Sequence, residues 1–289
     1  LADALTLNGT LTVNRTAGSS STGLQVLNSM GIAGAGTIVL NANAGNLATA
    51  NITWNGGGEV LTLGANQTVR GTGQVNVNTT NNGLIHADIS SRTLQLLGQP
   101  KVNNALIRAS NNATLLVSGI SITQAAAAEI LADAGAVQFS GATVIGGGVR
   151  AINGGLCSIT ANSRFDGVTA SGPLEVNNST NLQLHANLVN NGTITVNPTA
   201  GGSGTLLQAL SSQNLGGTGE VVLNASTNLD TAYITYSGGG EVLTHAATHT
   251  IRGTGNIHVN LLNNGLVNAD RAGRILSLRT TNKSNNATM

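Results

Sequence analysis

The sequence predicts an all-β fold, a single-stranded parallel β-helix (β-solenoid) with short strands and Gly/Asn corners. Two observations carry this prediction. First, the segment 56–88 recurs without gaps at 238–270, with 21 of 33 positions identical. Second, short runs of alternating apolar and polar residues, which indicate strands, leave no room between them for crossover helices. Close internal repetition is typical of repeat proteins, whose stacked units bury a core that no single unit could bury alone.

The composition fits a stacked aliphatic core. The 289 residues include 39 Gly and 3 Pro, with only 2% aromatic and 8% charged residues, whereas an ordinary globular domain carries about 25% charge. Apolar residues make up 40%, which argues against a disordered chain. The net charge of +1 predicts no nucleic-acid partner. No apolar run approaches the roughly 18 residues that a membrane span requires, and the single Cys157 cannot form an internal disulfide.

Taken in order, the chain alternates short strands with Gly, Asn or Thr-Gly turns from its first residues. Residues 5–17 alternate about an Asn-Gly corner, and similar runs follow to residue 97. One sub-motif recurs: Asn-Gly or Asn-Ala, an apolar-x-apolar run, a polar loop and a leucine-rich run. Two of its starts lie 22 residues apart, about the length of one solenoid coil. The sub-motif starts at Asn8, Asn82, Asn104, Asn191 and Asn264.

The Asn-Asn and Asn-Gly positions have a physical reason. Asn and Gly tolerate positive φ and therefore suit sharp corners between sheets. Asn stacked above Asn can also pass amide hydrogen bonds from coil to coil. We therefore interpret these positions as structural corners with no role in catalysis, cofactor binding or metal binding. The corner residues are Asn82, Asn104, Asn191, Asn264, Gly83 and Gly265, together with the preceding Asn81, Asn103, Asn190 and Asn263.

The repeats predict one continuous solenoid over residues 1–289. Its two close copies run over 8–96 and 191–278, and 97–190 is a more diverged unit between them. Residues 282–289 have the composition of a polar tail.

One stretch breaks this style. Residues 123–136, TQAAAAEILADAGA, are compatible with one or two helical turns, with a short loop excursion, or with an Ala-rich coil. If the protein is an adhesin, a loop at 120–136 is the candidate binding element.

The chain resembles a known class of protein in its repeat style. The order LEVNNSTNLQLHANLVNNGTITV, GGTGEVVLN, GGGEVLT, HTIRGTGNIHV, LLNNGLVNAD is similar to the Gly/Asn-rich repeat regions of very large bacterial surface proteins. These are autotransporter-like and haemagglutinin-like β-helix proteins. The resemblance implies a right-handed parallel β-helix, an extracellular or cell-surface location and a structural or adhesive role. It supplies no catalytic motif.

Enzymatic chemistry is the rival interpretation, because β-helix folds also host polysaccharide-degrading enzymes. Glycoside hydrolysis requires two carboxylates about 5–10 Å apart, and the only close acidic pair outside the two copies is Glu129 and Asp133. Glu59 and Arg70 recur as Glu241 and Arg252, so we expect a structural ion pair across coils.

Binding chemistry is equally sparse. His245, His249 and His258 cluster where the first copy has Leu63, Gln67 and Asn76. Two-strand His spacing can chelate a metal, but no carboxylate or Cys lies nearby to complete the ligand set. Trp54 and Tyr236 are duplication partners for which we expect an outward packing or corner role.

These observations favour a non-enzymatic structural β-solenoid of an extracellular bacterial surface or filament protein, with no cofactor. We expect self-association into a homo-oligomer or filament, or continuation into flanking repeats. The first alternative is an adhesin that binds surface glycans, and the second is a polysaccharide-degrading β-helix enzyme.

Overall fold

The computed structural model describes residues 1–279 and 281–289, which form 36 β-strands and two 3₁₀ turns, Leu47–Thr49 and Leu229–Thr231. The chain forms two compact units. Unit 1 comprises Leu1–Ala142 and Ala151–Leu156, and unit 2 comprises Thr143–Arg150 and Cys157–Met289. Within each unit the strands pair in parallel with strands further along the chain. The prediction of an all-β parallel solenoid is therefore confirmed, whereas its hand and its continuity over 1–289 stay predictions.

Unit 1 has short strands throughout. In chain order they are β1 (Leu5–Thr6), β2 (Thr10–Val13), β3 (Thr22–Val26), β4 (Met30–Ala33), β5 (Thr37–Asn41), β6 (Ala50–Trp54), β7 (Val60–Leu63), β8 (Thr68–Asn76), β9 (Asn78–Asn81), β10 (Leu84–Ala87), β11 (Thr93–Leu97), β12 (Lys101–Asn103), β13 (Leu106–Ser110), β14 (Thr114–Ser118), β15 (Ser121–Gln124), β16 (Glu129–Asp133) and β17 (Ala136–Ser140).

Each coil of unit 1 contributes one strand to each of three parallel sheets. The first sheet contains β1, β4, β7, β9, β12 and β15, the second runs from β2 through β5 to the start of β8, and the third runs from β3 through β6 to the end of β8. Strands β10, β13 and β16 continue the second sheet, and β11, β14 and β17 continue the third. This arrangement encloses a core between three sheets.

From residue 143 onward, successive strands again join three parallel sheets in turn. They are β18 (Thr143–Ile145), β19 (Gly148–Ile152), β20 (Leu156–Ala161), β21 (Ser163–Asp166), β22 (Thr169–Ser171), β23 (Pro173–Val176), β24 (Asn181–Leu184), β25 (Leu188–Asn190), β26 (Thr193–Val196), β27 (Leu206–Ala209), β28 (Gln213–Gly216), β29 (Glu220–Asn224), β30 (Tyr233–Tyr236), β31 (Val242–His245), β32 (Thr250–His258), β33 (Asn260–Asn263), β34 (Leu266–Asn268), β35 (Leu276–Leu278) and β36 (Lys283–Asn285).

The core is a set of aliphatic stacks. Alternate residues of each strand point inward, and the parallel register places like residues above one another. Ile85 pairs with Ile107 and Ile107 with Ile130, and all three are fully buried. At roughly 25 cal/mol per Å² of apolar surface removed from water, such a stack stabilises the coils without large aromatic rings.

The Gly-Thr-Gly sequence is a bend inside a strand, so the expectation of a Thr-Gly turn between strands was wrong here. β8 passes from the second sheet to the third at Gly71 and Gly73, whose φ angles are +106° and +151°. A Cβ would lie 2.2 Å from Leu40 O at Gly71 and 2.3 Å from Ala50 O at Gly73. β32 bends in the same way in unit 2. Only glycine lets the bending strand approach the coil beneath it so closely.

Two further expectations required correction. Residues 123–136 form no helix and no loop excursion, because β15 and β16 are regular members of their sheets, and Ala125 N–H donates to Asn103 O of the preceding coil. The Ala-rich coil was the correct alternative. Residues 282–289 are also no mere polar tail, since β36 lies in register with β33.

Candidate functional site

The first buried polar feature is a ladder of side-chain amides inside unit 1. Asn81 Nδ2 donates to Asn103 Oδ1 at 2.9 Å, and Asn103 Nδ2 donates to Gln124 Oε1 at 3.0 Å. Both Asn residues are fully buried. Each also donates to a main-chain oxygen of the next coil, Leu106 O from Asn81 and Glu129 O from Asn103. The predicted stacking of Asn above Asn is thus present, whereas no repeated motif indicated that Gln124 would be the next member of the ladder.

The second residue of each Asn-Asn pair lies further out. Asn104 Nδ2 donates to Asn82 Oδ1 at 2.8 Å, and Asn286 Nδ2 donates to Asn264 Oδ1 at 2.9 Å. Asn191 instead accepts the main-chain N–H of Thr218 at 3.1 Å. Asn82 with Asn104 and Asn264 with Asn286 thus form outer, more exposed amide pairs, whereas Asn191 binds Thr218 instead of another Asn.

Positive φ angles do not explain why Asn and Gly occupy these corners. Among the described residues, the Asn residues with positive φ lie elsewhere, at Asn14, Asn111, Asn112, Asn153 and Asn197. Gly83 and Gly265 are required for a different reason, which is close backbone approach. A Cβ would lie 2.3 Å from Gln67 O at Gly83 and 2.3 Å from Ala246 O at Gly265.

In unit 2 the inner ladder includes a buried histidine pair. His245 and His249 are 0% and 1% exposed, and His245 Nε2 lies 3.1 Å from His249 Nδ1. Asn190 contacts one end of the pair, where its Nδ2 is 3.0 Å from His249 Nε2. Asn263 contacts the other end, where its Oδ1 is 2.6 Å from His245 Nδ1.

The hydrogen bonds assign one tautomer to both rings. Gly192 N–H donates to Asn190 Oδ1, so Nδ2 of Asn190 is the donor toward His249 Nε2. That nitrogen must accept, which places the His249 proton on Nδ1, from where it donates to His245. His245 then donates from its own Nδ1 to Asn263. Both rings are neutral, and a proton added to either Nε2 would face another donor.

Burial reinforces the neutral state. It lowers the pKa of His249 from 6.5 to about 4, with a further contribution from His245, and it also lowers the pKa of His245. A neutral, hydrogen-bonded pair is a structural element. His258 lies apart from it on the outer surface, so the three histidines do not converge, and the described residues contain no group of three or more His, Cys, Asp and Glu side chains that could hold a metal ion.

A buried lysine begins β12, the strand that Asn103 of the amide ladder ends. Lys101 is 2% exposed, and its Nζ donates to Gln99 O at 2.5 Å and to Leu97 O at 3.3 Å. Burial lowers its pKa from 10.5 to about 7. Lys283 repeats this geometry 182 residues later, donating to Thr281 O and Arg279 O. The sequences KVNNA at 101–105 and KSNNA at 283–287 carried this signal, which our sequence comparison overlooked.

The predicted pairing of Glu59 with Arg70 was wrong. Arg70 pairs with Asp88, and Arg252 pairs with Glu220 and Asp270. The Glu59 carboxylate instead folds back onto its own glycine turn, where it accepts the N–H of Gly57. Hydrogen bonds from the main chain, first from Glu59 itself and then from Gly57, lower the pKa of this carboxylate. The duplicated ion pair is therefore Arg70–Asp88 and Arg252–Asp270.

The acidic pair Glu129 and Asp133 lies at the two ends of β16. Four residues along a strand separate their Cα atoms by about 13 Å, which is longer than the spacing of glycosidase carboxylates. Asp133 accepts hydrogen bonds from Arg108 and Asn153. Asp133 therefore belongs to a structural ion pair with Arg108.

One surface cavity of unit 2, with a volume of about 300 Å³, brings several hydrogen-bonded polar side chains together, and we call it the outer cavity. Arg279 Nη2 and Asn256 Nδ2 donate to Asp230 Oδ1 at 3.0 and 2.7 Å, and Arg279 Nε donates to Asn256 Oδ1 at 3.0 Å. The His258 ring meets Tyr236 edge to face at 5.5 Å. The residues that line the outer cavity are Asp230, Tyr233, Asn256, His258 and Arg279.

The scaffold of the outer cavity recurs in the first copy. The 3₁₀ turn Leu229–Thr231 carries Asp230, and the turn Leu47–Thr49 has the same Asn cap and the same threonine hydrogen bond. The bends of β32 and β8 also match. The two copies therefore share the backbone elements that position the site.

No protein-family model, curated protein or solved structure matches the chain. Of the described residues, none form a helix with the length and apolar character needed to cross a bilayer.

Proposed function

We propose that this protein is a non-enzymatic structural β-solenoid that acts as a stiff rod and assembles end to end. Following the resemblance in its repeats, we place it outside the cell or on the surface of a bacterium, as part of an autotransporter-like or haemagglutinin-like surface or filament protein. The observation that carries the proposal is the coil-to-coil stacking of the aliphatic core and the buried amide ladder. The core stack continues from coil to coil and the ladder links three successive coils of unit 1, so both resist bending and local opening.

The terminal strands support assembly. In the described chain, β1, β2 and β3 each pair with a single strand, and so do β34, β35 and β36. Open strand edges are templates for a further coil, either from flanking repeats of the same protein or from another chain. Aliphatic side chains at the last coil are also solvent-exposed, Ile275 at 61% and Leu278 at 43%.

The last coil also has the same polar side chains as a coil of unit 1 that pairs with a further strand. Lys101 and Asn103 of β12 pair with Ile122 and Gln124 of β15. Lys283 and Asn285 of β36 correspond to Lys101 and Asn103 at the constant offset of 182 residues. The edge of β36 therefore has the side chains of an internal coil, and we propose that a further coil covers it, either from flanking repeats of the same protein or from a second copy.

Electron microscopy of the purified chain over a concentration series tests this function. We expect end-to-end particles or fibres that lengthen with concentration, and a variant carrying Ile275→Lys and Leu278→Lys should remain single. Particles of one short length at every concentration would refute assembly, although a spacer role without assembly would survive. A second function, an adhesin, is favoured by the outer cavity.

A further inference from the structure

The outer cavity of unit 2 combines aromatic rings with a fixed set of polar groups. We propose that it binds a neutral saccharide, for which Tyr233 and His258 supply the ring surfaces and Asp230, Asn256 and Arg279 supply the hydrogen bonds. This binding activity goes beyond the structural role and does not depend on it.

The shape and lining suit a small ligand. The volume of about 300 Å³ lies at the lower end of the range for small-molecule sites, about 300–1,000 Å³. The apolar C–H faces of a pyranose ring pack against aromatic rings, which are rare in this chain. Tyr233, Tyr236 and His258 bring three such rings to the face that carries the cavity, since Tyr233 pairs with Asn256 and Tyr236 packs against His258.

The polar groups are held in place before any ligand binds. Asp230 Oδ1 accepts from both Asn256 and Arg279, which leaves Asp230 Oδ2 as an acceptor for a ligand hydroxyl. The Asp230 and Arg279 side chains are 63% and 43% exposed, so a ligand can reach them. Paired hydroxyl groups on adjacent carbons match this fork of carboxylate and guanidinium.

Charge selects the class of saccharide. The Asp230 carboxylate and the Arg279 guanidinium neutralise each other at 3.0 Å. An anionic sugar would therefore meet a carboxylate whose compensating cation is already paired. A neutral hexose unit carries no such penalty.

The internal duplication indicates that the cavity was changed as a set. All five of its lining residues differ from their first-copy counterparts, although 21 of 33 positions are identical in the duplicated segment 238–270, which contains Asn256 and His258. The counterparts of Asp230, Tyr233, Asn256, His258 and Arg279 are Ala48, Asn51, Gln74, Asn76 and Leu97. The scaffold is thus retained while the surface of the cavity is replaced, which is the pattern expected of a site acquired by one copy.

The experiment uses the whole chain and a panel of neutral hexasaccharides: maltohexaose, cellohexaose, a β-1,3-glucan hexamer and mannohexaose. Oligogalacturonate serves as the anionic comparison. Binding is measured by calorimetry and by NMR chemical-shift changes. A swap variant, Asp230→Ala with Tyr233→Asn and Arg279→Leu, installs the residues that the first copy tolerates. Asn51→Ala, at the first-copy counterpart of Tyr233, is the matched control.

We expect at least one neutral hexasaccharide to bind at millimolar concentration and to shift the resonances of the cavity residues. The swap variant should bind at least ~10-fold more weakly, whereas Asn51→Ala should bind as the native chain does. If the swap variant melts early, Tyr233→Asn alone provides the comparison. The proposal is overturned if no neutral probe binds, if the variants bind unchanged, or if oligogalacturonate binds more tightly. Failure here would leave the assembly measured by microscopy unaffected.

Discussion

The buried histidine pair makes the stability of unit 2 depend on pH. His245 and His249 are neutral in the folded chain, and each Nε2 faces a hydrogen-bond donor. Protonation in the unfolded chain meets no such obstacle. Since the folded-state pKa values lie below the ordinary 6.5, the unfolded state binds more protons than the folded state when the pH falls below about 6.5. Acid must therefore destabilise the fold.

The size of this loss in the free energy of unfolding follows from the pKa of His249. Its pKa falls from 6.5 to about 4, and one pKa unit corresponds to 1.36 kcal/mol. The full effect of this residue is about 3 kcal/mol, of which about 2.5 kcal/mol is lost between pH 8 and pH 4.5. His245 adds to the loss in the same direction, because its pKa is also lowered by burial.

Guanidinium titrations followed by circular dichroism at pH 4.5, 5.5, 7 and 8 measure this loss. The matched variant is His245→Leu with His249→Gln, which installs Leu63 and Gln67 of the first copy. We expect its stability to change much less over the same range. Nitrogen-detected NMR should show protonated Nδ1 on both rings. An equal pH dependence in the variant, or a proton on Nε2 of either ring at neutral pH, would refute the reasoning.

Three further substitutions test the core, the ladder and the strand bend. Ile107→Ala should lower the free energy of unfolding by about 2–5 kcal/mol, against about 0.5–1.5 for Ile107→Val, and equal losses in denaturant titrations would contradict a tightly packed stack. Asn103→Leu should cost about 1–3 kcal/mol because it leaves buried partners unsatisfied, whereas the exposed Asn104→Leu should cost less in the same titration. Gly71→Ala should lower the melting temperature sharply because its Cβ meets Leu40 O, and Gly9→Ala, where a Cβ meets nothing within 4 Å, should not. Similar melting temperatures would show that the bend tolerates a side chain.

The amide ladder shows which contacts the repeat pattern of the sequence could predict and which it could not. Asn81 and Asn103 were identified because identical residues recur at coil spacing, and stacking follows from a parallel register. Gln124 was missed because it lies in a coil with a different sequence. The burial of His245 and His249 was not predicted, because a strand pattern does not show that a turn brings both rings into the core.

The expectation of an ion pair between Glu59 and Arg70 was wrong for a similar reason. Opposite charges on neighbouring strands are natural partners, but a glycine turn leaves main-chain N–H groups free, and these bind the Glu59 carboxylate at short range. The outer cavity could not be predicted either. Its lining comes from a 3₁₀ turn, two strands and the residue that follows β35, which are spread over fifty residues.

The sequence by itself determined the class of fold, because alternation of period two and a repeated Gly/Asn vocabulary admit few ways to bury an aliphatic face. It also determined the internal duplication and the stacking of like residues. The tertiary structure alone decided the lengths of the coils, which range within residues 8–96 from 16 residues between Thr68 and Leu84 to 31 between Thr37 and Thr68. It also decided which polar groups meet. The physical reason is that coil register is set by packing and backbone approach across coils, and these depend on residues that are distant in the chain.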